Sequence, residues 1–213
     1  MIVYVLEKNG YQDIKNVSCL KNQSVYINLT NRCCCNCTFC LRQTKQMLQE
    51  NSLWIKHEPT YQEVIEELKK YPISDFKEIV FCGFGEPLTR VEEVVKIAKY
   101  IKNRDKQCQI RVNTNGLSSV THQRDIGKDL KGLVDSISIS LNAPTKEEYY
   151  ALTNSKYGID SFEYMILFAK SCLQNIPTVV FTVVDIIGDT KIKQCQKLCD
   201  LLGIRLRVRC FEE

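Results

Sequence analysis

The chain has 213 residues, 44% hydrophobic and 25% charged, a balance ordinary for one globular domain. Its net charge of +4 is spread over scattered lysines with no basic run, so nucleic acid is not indicated as a partner. No stretch approaches the ~20 apolar residues of a membrane span, and the first residues lack the basic segment and cleavage site of a secretory signal, so a cytoplasmic location is expected.

The opening "IVYVLEKNGYQDI" reads as two short strands joined by a turn at Asn9-Gly10, a hairpin over residues 1–23. Six β-branched runs follow: "SVYINLT" (24–30), "EIVFCG" (78–83), "QIRVNT" (109–114), "DSISISLN" (135–142), "TVVFTVVD" (178–185) and "IRLRVRCF" (204–211). Amphipathic helices lie between them. Thr60 with Glu63 forms a capping-box pattern, repeated by Thr89 with Glu92 and Thr145 with Glu148. Asp160 opens a further helix, Asp189 is expected to cap the last one, and Gly203 stands beyond its end. The segment 122–133 carries the weakest helical pattern.

Strict β–α alternation argues for a parallel sheet, because parallel neighbours need crossover helices. A full eight-unit barrel needs ~250 residues. Six units therefore fit an α/β partial (β/α)6 TIM-like barrel over 24–213, with the short N-terminal β-hairpin as an extension of a single domain. A doubly wound sheet is the alternative architecture.

Twelve cysteines in a chain without a secretory signal point to metal ligands and buried packing rather than disulfides. Five of them fall in "NRCCCNCTFC" (31–40), at the C-terminal end of the first parallel strand, where α/β folds place their sites. Cys33, Cys37 and Cys40 are spaced C-x3-C-x2-C; Cys34, Cys37 and Cys40 are spaced C-x2-C-x2-C. Spacing alone leaves both open. A structural zinc would need a second ligand pair. Cys195 and Cys199, the nearest such pair, share the apolar face of a helix pattern and read as core. Three thiolates on one loop suit an iron–sulfur cubane with one open iron.

With Phe39 just before the last cysteine, this loop resembles that of the radical SAM enzymes. The resemblance assigns Cys33, Cys37 and Cys40 to a [4Fe–4S] cluster and leaves Cys34 and Cys35 as bystanders. It implies that S-adenosylmethionine is cleaved to methionine and a 5′-deoxyadenosyl radical that takes hydrogen from a substrate. "CGFGEPL" (82–88) looks like the family's glycine-rich element, in which Gly83, Gly85 and Glu86 would hold the methionine amino group. "NTNG" (113–116), with Asn113 and Asn115, is similar to the polar element of the third strand. "SISLNA" (138–143) offers Ser140 and Asn142 as ribose contacts on one strand face. The fifth strand end matches the family only at Ile186 and Gly188, with Val184 and Lys191 departing from it. Arg209 on the sixth could reach the adenine or an anionic substrate.

Within the superfamily the chain looks like the TatD-linked radical SAM proteins, through "VYINLTNRC", "GFGEPL", "SISLNAPT" and "LGIRLRVRCFEE". The implied partners are an electron donor such as flavodoxin or ferredoxin and a small-molecule or protein substrate. A glycyl-radical activase is one variant. A zinc-binding structural module is the rival from another class. His57 reads as a loop residue and His122 as lying near a helix start, both on the surface. Cys82 and Cys210 lie at strand ends near the expected mouth, with packing as their first reading.

Overall fold

The computed structural model describes residues 1–8, 10–44 and 52–211. Eight strands form one sheet in the order β2-β1-β3-β4-β5-β6-β7-β8. They are β1 (Val3–Glu7), β2 (Gly10–Asp13), β3 (Ser24–Ile27), β4 (Glu78–Phe81), β5 (Ile110–Thr114), β6 (Ser136–Ser140), β7 (Thr178–Val184) and β8 (Arg205–Arg209). β1 runs antiparallel to both β2 and β3; every pair from β3 to β8 is parallel. The expected hairpin therefore forms and closes one edge of an open, barrel-like sheet. Of its turn, Gly10 adopts φ +108, whereas Asn9 lies outside the described residues.

The eight helices among the described residues are α1 (Leu41–Thr44), α2 (Tyr61–Leu68), α3 (Val91–Arg104), α4 (Ser118–His122), α5 (Ile126–Asp129), α6 (Lys146–Thr153), α7 (Ser161–Asn175) and α8 (Asp189–Leu202). None of them is long and apolar enough to cross a membrane. The two faces of the sheet divide by register. Phe81, Val112, Ile137 and Val179 are successive partners across four strands, and all are buried against the helices. Burying each large apolar side chain of this kind contributes ~1.5–3 kcal/mol. The opposite face runs through Tyr26, Val80, Arg111 and Ser136, then Asn113, Ser138, Val180 and Arg205. It is largely polar and, among the described residues, has no helix layer.

A second, small core of Tyr4, Tyr11, Leu53 and Phe84 ties the hairpin to the turn after β4. Tyr4 stacks on Tyr26 at 5.1 Å between ring centroids, and its hydroxyl donates to the Cys82 carbonyl at 3.2 Å.

The helix starts differ in how local they are. Thr60 caps α2 in a complete capping box with Glu63, and the Thr145 side chain accepts from the Glu148 N–H. Thr89 does not cap α3. It lies inside a 3-10 turn, Pro87–Arg90, and its hydroxyl donates to the Glu86 carbonyl at 2.8 Å. Asp160 makes no side-chain cap to α7, and Asp189 is the first residue of α8 rather than its cap, which is Gly188 at φ +82. Gly203 ends α8 in the left-handed region, as its position suggested. Within the 122–133 segment the helix is the short α5, and His122 ends α4 instead of opening a helix.

Candidate functional site

The cysteine loop leaves the C-terminal end of β3, and the chain pins it from three sides. Beneath it, Asn31 exchanges two hydrogen bonds with the backbone of Ile55, at 2.7 and 3.2 Å. Arg32 grips Glu58 with both arms of its guanidinium, at 2.6 and 2.8 Å, and Thr30 donates to the same carboxylate. Beside it, the C-terminal end of α6 supplies backbone partners: Asn36 N–H donates to Thr153 O at 2.9 Å, Thr38 N–H to Leu152 O at 3.0 Å, and Lys156 N–H to Cys34 O at 2.9 Å. From within, Arg42 bridges the loop ends, reaching Cys40 Sγ at 3.3 Å, Asn31 O at 3.3 Å and Cys35 O at 3.2 Å.

The thiols of Cys33, Cys34, Cys35 and Cys37 are linked to one another by side-chain hydrogen bonds. Hydrogen bonds from Cys34 and Cys35 lower the Cys33 pKa, and those two donors are correspondingly raised. The Cys35 hydrogen bond likewise lowers Cys37. Asn115 Nδ2 lies 3.6 Å from Cys33 Sγ, 3.3 Å from Cys34 Sγ and 3.7 Å from Cys35 Sγ. Phe39 is half-buried in the turn where Cys40 N–H donates to Cys37 O at 3.1 Å. Soft thiolate donors, flanked by the cation of Arg42 and the amide of Asn115, form a donor set that suits an iron–sulfur cluster. Among the described residues no three His, Cys, Asp or Glu side chains converge on a single metal ion.

The turn after β4 packs directly against the root of this loop. A Cβ on Gly83 would stand 2.1 Å from Asn28 Oδ1, and one on Gly85 would stand 2.2 Å from Thr30 O and 2.7 Å from Arg32 O. The close approach that these glycines permit is thus, in this structure, an approach of the chain to itself. Glu86 then turns inward and is only 4% exposed. Its Oε1 accepts from Leu88 N–H at 3.0 Å and Thr114 Oγ1 at 2.8 Å; its Oε2 accepts from Asn115 N–H at 2.7 Å. Burial, with the charge of Cys33 second, pushes its carboxyl up to about 7 against the pull of those three donors.

The remaining strand-end residues fall into two groups. Asn115 joins the cysteines, with its Oδ1 accepting from Leu117 N–H at 2.9 Å. Asn142 lies past the end of β6 at φ +60, so it does not continue the strand alternation with Ser140. It is buried, and its Oδ1 has no hydrogen-bond partner. Asn113, Ser140 and Arg209 sit on the helix-free face. Asn113 Oδ1 accepts from Arg111 at 2.7 Å, Ser140 is the register partner of Thr182, and Arg209 is exposed beside Val184. Lys191, which breaks the family pattern after β7, pairs with Glu148 of α6 at 3.0 Å. His57 is exposed and contacts Glu63 at 2.7 Å; His122 contacts the Leu88 carbonyl at 2.8 Å. Cys82 is half-buried and Cys210 exposed.

Sequence reasoning passed over Asn28, Thr30, Glu58, Arg42 and Thr114. Of these, Arg42 carried a readable signal, as a cation two residues beyond the last loop cysteine. Thr114 lay between two asparagines already singled out, but its direction depends on the strand's helix-facing register.

The sequence profile of the radical SAM superfamily matches residues 27–201. No curated protein matches the sequence. Among solved structures, the chain resembles a radical SAM methyltransferase from Sphaerobacter thermophilus, with TM-score 0.65 and 16% identity over 97% of this chain and 64% of that one. It also resembles Streptococcus suis SuiB bound to its precursor peptide SuiA, with TM-score 0.67 and 16% identity over 91% of this chain and 40% of that one. A third is methylornithine synthase, with TM-score 0.65 and 14% identity over 89% of this chain and 53% of that one. At these identities the likeness is one of fold, and the chain spans less than two thirds of each of these proteins.

Proposed function

The chain belongs to the radical SAM superfamily, and from that premise we propose that it is an enzyme acting on an unidentified substrate by hydrogen abstraction. The observation carrying this reading is the thiol-rich loop at the C-terminal end of β3, inside the matched region and seated against the G-x-G-E-P turn. A [4Fe–4S] cluster bound there would supply one electron to cleave S-adenosylmethionine into methionine and a 5′-deoxyadenosyl radical.

Cys33, Cys37 and Cys40 would hold the cluster, with Cys34 and Cys35 outside its ligand set. Arg42 and Asn115 place positive charge and an amide donor beside the sulfurs, which favours their thiolate state. Gly83 and Gly85 seat the turn, and Glu86 braces it to the end of β5. Phe39, Gly83, Gly85, Glu86, Asn113, Asn115, Ser140, Asn142 and Arg209 are the proposed contacts to S-adenosylmethionine. Among them, Asn142 has the buried unpaired oxygen that a ligand hydroxyl or amine would satisfy.

The single domain would comprise the 1–23 extension and the 24–213 partial barrel. The stretches "VYINLTNRC" and "LGIRLRVRCFEE" support placement in the TatD-linked group. We further propose a cytoplasmic enzyme supplied by flavodoxin or ferredoxin, with a small-molecule or protein substrate. The peptide held by SuiB lends weight to the latter. Activation of a glycyl-radical protein is a variant of the same chemistry that no specific observation favours.

The test is anaerobic reconstitution followed by strong reductant. About four irons per chain and release of 5′-deoxyadenosine are expected. Stoichiometric zinc in a colourless protein, or no 5′-deoxyadenosine from an iron-loaded one, would overturn the reading.

A further inference from the structure

The helix-free face of the sheet holds a cation that no carboxylate of the described chain neutralises. Successive register partners place Ser138, Val180 and Arg205 in one row, Ser140, Thr182 and Arg207 in the next, and Val184 with Arg209 above them. All three arginines of β8 therefore belong to the same face as Arg111 and Asn113. Arg207 reaches across the sheet, and its Nη2 donates to Ser138 Oγ at 3.2 Å. Its Nε is buried and has no partner. The carboxylate that approaches this group, Glu78, is already occupied. It accepts from Arg111 Nε at 3.0 Å and Nη2 at 2.9 Å, and from Ser24 Oγ at 2.8 Å.

Arg207 is thus half-buried, lies near two further arginines, and has unspent donors. Burial, then Arg111 and Arg209, lower its pKa, which is the mark of a cation in the wrong company. A guanidinium in this range remains charged. A buried charge without its counterpart is costly, and an anion entering the same space removes that cost. The planar fork of arginine matches the paired oxygens of a carboxylate or phosphate.

We propose that Arg207, steadied by Ser138 and flanked by Arg209, binds an oxyanion of the substrate, a carboxylate or a phosphate, inside the barrel. Calling that ligand the substrate rests on the radical SAM reading; the binding event does not.

The experiment is a titration of the full chain with inorganic phosphate and, separately, with acetate. It is followed by the nitrogen–proton NMR signal of the Arg207 Nε–H. Sodium chloride at matched ionic strength is the reference. Arg207→Gln identifies the signal by its loss, and Arg207→Lys serves the same purpose should the glutamine variant fail to fold. A saturable shift with phosphate or acetate, absent with chloride, is expected; the stronger of the two names the oxyanion. Ser138→Ala should weaken it about fivefold, the scale of one lost hydrogen bond. A signal that moves no further with either probe than with chloride overturns the proposal. So does displacement of the probe by S-adenosylmethionine alone, because the oxyanion would then be the cofactor's carboxylate. Failure of 5′-deoxyadenosine release would instead count against the reaction and leave the binding result standing.

Discussion

The carboxylate of Glu86 accepts the backbone N–H of Asn115 at 2.7 Å, and the side chain of that asparagine lies against the sulfurs of Cys33, Cys34 and Cys35. One buried acid thus couples the turn after β4 to the end of β5, and through it to the cysteine loop. Thr114, donating to the same carboxylate at 2.8 Å, completes the brace.

This acid makes the stability of the metal-free chain depend on pH. Its carboxyl is raised from 4.5 to about 7, chiefly by burial. A raised acid contributes stability that is complete below the unfolded value and is lost as pH rises through the folded one. Unfolding by urea under reducing conditions should therefore show stability falling between pH 5 and pH 8, by at most about 3 kcal/mol at ~1.4 kcal/mol per pKa unit. Glu86→Gln, which mimics the protonated acid, should flatten that slope and keep stability at pH 5 close to that of the parent. An unchanged slope in the variant would assign the pH effect elsewhere.

Gly85→Ala is expected to damage the site from a distance. The new methyl would meet two backbone oxygens, Thr30 O and Arg32 O, which cannot swing aside as a side chain could. Overpacking of this kind costs ~1–3 kcal/mol. The melting temperature should fall, and iron bound per chain after reconstitution should fall with it. Normal iron content in the variant would show that the loop root tolerates displacement.

The ligand register can be read by colour. Cys33→Ala, Cys37→Ala and Cys40→Ala should each abolish the cluster absorbance of the reconstituted protein, whereas Cys34→Ala should retain it. Cys35→Ala should also retain it, with some loss of stability because that side chain is buried. An essential Cys34 with a dispensable Cys33 would shift the register by one residue and leave the family unchanged.

Asn142 offers a test of cofactor contact with little structural cost. Glycine accepts φ +60 without strain, so Asn142→Gly should keep the melting temperature near that of the parent. Removal of the unpaired oxygen should weaken S-adenosylmethionine about tenfold, the worth of a buried hydrogen bond. Calorimetric titration of the cluster-loaded protein provides the measurement. Undiminished affinity would remove Asn142 from the contact set.

The sequence revealed features that local chemistry decides. The six β-branched runs became strands, with ends a few residues shorter than read, and Thr60 and Thr145 capped their helices as their spacing implies. What it concealed depends on tertiary contact. Thr89 has the same spacing to Glu92 that Thr60 has to Glu63, but Pro87 starts a tighter turn and the Glu86 carbonyl takes the hydroxyl. Asn142 follows the strand alternation in sequence and departs from it in space, because β6 ends at Ser140. The inward turn of Glu86 was equally hidden, since its partners Thr114 and Asn115 come from another strand.

The seat of the cysteine loop also has a temporal side. Three of its backbone anchors belong to Leu152, Thr153 and Lys156, far downstream of the cysteines they hold. As the chain leaves the ribosome, the thiols emerge long before their seat exists. The scaffold that positions them combines those peptide groups with the side chains of Asn31, Arg32 and Arg42. The proposed cluster would then be expected on a loop whose seat forms only once residues 152–156 have been made.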